Sequence, residues 1–74
     1  MEIEAIFMIS VTINGDAHKL SEELNLIDLL ARFDIEYDKV AIEHNLEIVP
    51  KSTFEKVMVG DGDNLEIVHF IGGG

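Results

Sequence analysis

The first thirteen residues alternate in character. Ile3, Ala5, Phe7, Ile9, Val11 and Ile13 hold the odd positions, while Glu2, Glu4, Ile6, Met8, Ser10 and Thr12 hold the even ones. A period of two places the odd set on one face of a β-strand. Asn14-Gly15 comes next and predicts a tight hairpin. Asp16 to Leu20 then return antiparallel, with Ala17 and Lys19 on one face and His18 and Leu20 on the other. Met8 offers an alternative start, and residues 1–7 are then expected only to lengthen the first strand.

Ser21 to Asn25 read as polar linkage. Asn25 is a candidate N-cap, with Asp28 three residues on at the positive end of a helix. Leu26, Leu29, Leu30 and Phe33 follow helical spacing, and Ile27 widens that stripe. The helix is expected to stop near Asp34, a weaker stop than glycine. Residues 36–39 form a polar loop around Tyr37. Val40 to Glu43 and Leu46 to Val49 read as short strands joined at His44-Asn45. Pro50 closes the second, because it cannot donate to a ladder. Ser52 is expected to cap a single turn through Phe54 and Glu55. Val57 to Val59 is a brief extended piece, and Gly60-Asp61-Gly62-Asp63 is a turn cluster. The apolar, β-branched run from Leu65 to Ile71 reads as a largely buried last strand.

One helix must therefore cover a mixed sheet of four or five strands. The first and last strands are the most apolar and belong side by side at its centre. If they run parallel, the helix lies in the crossover, which should be right-handed. The expected class is α+β, a β-grasp or ubiquitin-like roll. Residues 1–71 make the domain and Gly72-Gly73-Gly74 a flexible tail.

Composition narrows the function. A chain of 74 residues buries only about 60% of its unfolded surface, so its stability should be modest. No cysteine is present, which excludes disulfides, thiolate zinc sites and a cysteine nucleophile. That fits a cytoplasmic setting. No run reaches the ~20 apolar residues of a membrane helix, and no basic segment near Met1 suggests a signal peptide. Fifteen acidic residues against five basic give a net charge of −10. Nucleic acid and anionic membrane are poor partners for such a surface, and basic protein surfaces better ones.

Candidate chemistry is sparse. His18, His44 and His69 lie on different elements without metal-ligand spacing, so no metal is expected. His44 reads as a turn residue and His69 as a partly buried sheet residue. Asp61 and Asp63 read as solvated turn carboxylates. The group left to react is the α-carboxylate of Gly74. Beside it, Leu65 and Ile67 share one face of the last strand, and Glu66, Val68 and Phe70 share the other. Val68 and Phe70, with Ile71, form a candidate docking patch near the tail.

This pattern resembles the ThiS family of sulfur carriers. The resemblance rests on Ser10-Val11-Thr12-Ile13-Asn14-Gly15, Leu26-Ile27-Asp28-Leu29-Leu30 and Val40-Ala41-Ile42-Glu43-His44-Asn45. It continues through Glu47-Ile48-Val49-Pro50-Lys51, Gly60-Asp61-Gly62-Asp63 and Glu66-Ile67-Val68-His69-Phe70-Ile71-Gly72-Gly73-Gly74. Two turns depart from the family pattern: Phe33-Asp34, where members often have a glycine after the helix, and Asn45-Leu46, where they often have Asn-Gly.

The resemblance implies a cycle at Gly74. A ubiquitin-activating-like, ThiF-type adenylyltransferase uses ATP to make an acyl-adenylate. Sulfur from a cysteine desulfurase or rhodanese-type protein displaces AMP and leaves a thiocarboxylate. A ThiG-type thiazole synthase takes the sulfur for thiamine. The chain itself is then a carrier rather than an enzyme, and holds no cofactor. Three alternatives stay open at this point: a molybdopterin-synthase small subunit, a ubiquitin-like modifier joined through Gly74, and a plain binding module.

Overall fold

A computed structural model describes residues 8–70. The expected extension of the first strand through residues 1–7, Ile71, and the domain-tail boundary at residues 71–72 lie outside the described residues.

The order is β1 (Ile9–Ile13), β2 (Asp16–Leu20), β3 (Leu24–Asn25), α1 (Leu26–Arg32), β4 (Val40–His44), β5 (Glu47–Ile48), β6 (Met58–Val59) and β7 (Asn64–His69). Two 3-10 turns, Tyr37–Lys39 and Lys51–Thr53, interrupt the loops. Five strands form one mixed sheet in the order β2-β1-β7-β4-β5. β1 and β7 are parallel neighbours at its centre, as the apolar content of the two strands predicts. β7 also pairs antiparallel with β4, with Ala41 opposite Val68 and Glu43 opposite Glu66.

The first hairpin turns at Asn14 (φ 50) and Gly15 (φ 87), so both central residues take the left-handed conformation that a two-residue turn requires. The second hairpin differs from expectation by one residue. His44 belongs to β4, and the turn is Asn45-Leu46, with φ 51 and 74. Pairing of His44 with Glu47 leaves those two residues as the loop.

The helix starts as its sequence requires. The Asn25 side chain accepts from the Asp28 amide at 2.7 Å, which satisfies one orphan donor of the first turn. Leu26, Leu29 and Leu30 are buried, and each contributes about 1.5–3 kcal/mol by leaving water. At the other end, Asp34 takes φ 62. The Ile35 amide reaches the Leu30 carbonyl at 2.9 Å and the Asp34 amide the Ala31 carbonyl at 3.1 Å. This is a Schellman closure with aspartate where glycine is usual.

Three further expectations need correction. The Ser21–Asn25 linkage contains a strand: Leu24 pairs with Val59 and Asn25 with Met58, in a small second sheet. Leu24 and Val59 are both buried there, which is what ties this piece down. Ser52 caps nothing. The turn opens at Pro50 without a side-chain cap, and Thr53 Oγ1 donates to the Pro50 carbonyl at 2.7 Å. That turn instead places Phe54 in the core, 1% exposed. Finally, His69 is exposed, because it lies beyond Ile67, the last buried residue of β7.

Candidate functional site

The alternation along β7 sorts its side chains as expected. Leu65 and Ile67 are buried with the helix, while Val68 is 61% and Phe70 55% exposed. Their shared exposure follows from the period of two of β7, continued one residue past its end at His69. Ala41 of β4 and Ile48 of β5 are exposed as well. Together with Glu43, Glu66 and Val68 they line a shallow hollow of about 150 Å³ on the open face. The result is an apolar patch with two carboxylates facing each other at its rim. Such a surface can bind a protein, and apolar side chains beside basic groups would suit it.

The end of β7 is held separately. The Phe70 amide donates to the Lys39 carbonyl at 2.9 Å. The Lys51 ammonium stands 5.0 Å from the centroid of the Phe70 ring. Sequence reading missed Lys51 as a contributor. Its only sequence signal is its place after Pro50, which sets φ −62 at the start of the turn that carries it. The candidate site residues Ile71, Gly72, Gly73 and Gly74 lie outside the described residues.

The other polar groups are occupied by the fold itself. His44 is half-buried, and its Nε2 lies 2.8 Å from Asp63 Oδ2. Asp63 Oδ2 also accepts the Gly60 amide at 2.9 Å, and Oδ1 accepts Asn45 Nδ2 at 3.2 Å. Asp61 Oδ1 accepts the Ser10 amide at 2.8 Å. Asp61 is exposed in the turn, as the sequence suggests, while Asp63 is half-buried and more than a solvated turn group. The two carboxylates fasten one turn to β1 and to the β4–β5 hairpin. Burial is the largest influence on Asp63 and pushes its pKa up, but the hydrogen bonds from Gly60, His44 and Asn45 together hold it below the usual carboxylate value. His18 packs its ring edge-on against Phe33, centroids 5.1 Å apart. No group of three or more His, Cys, Asp or Glu among the described residues is placed to hold a metal ion.

Residues 7–74 match the ThiS family. This chain belongs to it. The sulfur carrier protein ThiS of Bacillus subtilis is 41% identical over 63 residues, which cover 84% of this chain and 96% of that protein. The crystal structure of the thiamine biosynthesis protein ThiS from Geobacter metallireducens superposes with a TM-score of 0.78 at 32% identity. That match spans 89% of this ThiS-family chain and all of the Geobacter chain. A thiazole synthase of Paramagnetospirillum magneticum is 50% identical over 64 residues, 86% of this chain. The chain spans only about a fifth of that synthase's length, 20%. The β-grasp architecture read from the pattern is thus the ThiS architecture.

Proposed function

We propose that this ThiS-family chain carries sulfur for thiazole formation in thiamine biosynthesis, on the carboxylate of Gly74. The observation that supports this most is the family match, which runs from residue 7 through the three glycines to residue 74. The chemistry is consistent with those residues. A free carboxylate is a poor electrophile. Its oxygen attacks the α-phosphorus of ATP in an adenylyltransferase, pyrophosphate leaves, and an acyl-adenylate forms. Hydrosulfide, freed when a thiol reduces the donor's persulfide, then attacks the acyl carbon, AMP leaves, and a thiocarboxylate remains. Glycine at 72, 73 and 74 permits close approach of the backbone inside a partner's narrow site.

The partners follow from the same reading. The Paramagnetospirillum thiazole synthase contains a stretch like this chain within its own polypeptide, which supports a thiazole synthase as the acceptor of the sulfur. The adenylyltransferase and a cysteine desulfurase or similar sulfur donor are the activating partners. Val68, Phe70 and Ile71 form the surface on which partners grip the domain, and this work takes place in the cytoplasm. ATP is spent by the activating partner, and the chain itself is a carried substrate rather than a catalyst.

The test is genetic. A strain that lacks its own carrier and grows without thiamine on the full chain should fail on a version lacking Gly73-Gly74. Growth on that shortened version contradicts the proposal.

A further inference from the structure

The end of β7 is held by a closed circuit of contacts. The Lys51 ammonium stands 5.0 Å over the Phe70 ring centroid and donates to the Asp38 carbonyl oxygen at 3.3 Å. The next carbonyl, that of Lys39, accepts the Phe70 amide at 2.9 Å. Consecutive carbonyls of one 3-10 turn thus hold the ammonium and the strand end, and the ring joins the two. Lys51 does this in a chain with 15 acidic residues, yet it makes no ion pair among the described residues. Among the described residues, its charge meets an aromatic face and a carbonyl.

We propose that Lys51 is a positioning residue, which acts through the Phe70 ring to fix the point from which residues 71–74 set out. The inference rests on the carrier reading of Gly74. Residue 70 is the last described residue, four positions before the reacting carboxylate. Any wandering of residue 70 is passed on to whatever follows it in the chain. The effective concentration of the carboxylate at a partner's site then falls. Holding residue 70 from two sides limits that wandering before the partner arrives. The free face of the ring stays available for docking, since Phe70 is 55% exposed.

The test is a double-mutant cycle on carrier adenylation, read as kcat/KM with the cognate adenylyltransferase. Lys51→Met keeps the apolar stem and removes the cation. It should lower kcat/KM about three- to fivefold, the size of a surface cation–π contact. Lys51→Arg, which keeps a cation over the ring, should restore it. Phe70→Leu removes the ring, and Lys51→Met should then have no further effect. An additive cycle shows Lys51 acting on the partner directly and overturns the proposal. In the free protein, the Lys51 ε-protons should resonate upfield under the ring current and lose that shift in Phe70→Leu. No such shift in the wild type also overturns it. A wild-type chain that is never adenylated defeats the carrier reading itself, a failure that the proton shift does not depend on.

Discussion

The side-chain amide of Asn14 bonds the main chain of Ile67 twice, Nδ2 donating to its carbonyl at 3.0 Å and Oδ1 accepting from its amide at 2.7 Å. The two residues are 53 apart in sequence. The reason lies in the ladder. β1 bonds β7 from Thr12 to Asp63 and from Asn14 to Leu65, and then turns away. Ile67 would be left with an unpaired amide and carbonyl on that side. The Asn14 side chain stands in for the missing strand and carries the pairing one step further toward the end of β7. Asn14→Gly keeps the left-handed turn but removes both bonds. It should lower unfolding free energy by about 1–3 kcal/mol in urea titration. A change of only a few tenths would show that water replaces the amide at no cost.

The four-residue turn before β7 gives a pH signature. The folded-state pKa of Asp63 is lowered, so the charged form favours the fold. That stability is present above the ordinary carboxylate value of 3.8 and is lost as pH falls through the lowered one. Asp63→Asn should therefore be less stable than wild type by about 2 kcal/mol at neutral pH. The gap should close on acidification below about pH 4. Denaturant titrations across that range check it, and a constant gap contradicts it.

Two non-glycine turn residues with positive φ predict stabilising substitutions. Leu46 sits at φ 74 with 82% of its surface exposed, and Asp34 at φ 62 closes the helix. A side chain in this region costs about 1–2 kcal/mol, less for aspartate. Leu46→Gly should raise stability by about 1 kcal/mol, since no core contact is lost. Asp34→Gly should give a smaller gain. A lower Tm for Leu46→Gly would mean that the exposed leucine is held by contacts absent from this conformation.

The open face predicts a separation of fold from function. Val68→Asp and Phe70→Asp fall on exposed positions and should leave the fold intact at a cost of about 1 kcal/mol, from strand propensity at Val68 and the lost Lys51 contact at Phe70. Adenylation by the partner should fall about tenfold or more, as for a docking anchor. Full adenylation of both variants would remove this face from the interface.

Much of this was legible in the chain. The odd-even alternation of residues 9–13, the Asn14-Gly15 turn and the leucine spacing of 26, 29 and 30 gave strand, hairpin and helix, because each signal is local and physical. The exposed pair Val68 and Phe70 followed from the same period of two. What stayed hidden is tertiary. Asn14 and Asn45 read as turn residues, yet their side chains clamp β7 at Ile67 and Asn64. Leu24 reads as one apolar residue in a polar link, and only its pairing with Val59 explains its burial. Lys51 reads as a surface lysine, and its role depends on a loop and a strand end brought together from elsewhere. His44 looked like a turn residue because Asn45-Leu46 lacks the glycine that would have marked the true turn.

On the proposed carrier reading, the docking face and the held strand end serve one atom, the acyl carbon of Gly74. Intact-mass measurement of the chain, expressed untagged beyond Gly74 in cells that make thiamine, reads that atom directly. Part of the population should be heavier by the difference between sulfur and oxygen, with the increment confined to the C-terminal peptide. An unshifted mass under active thiamine synthesis, or an increment on any other peptide, contradicts the account.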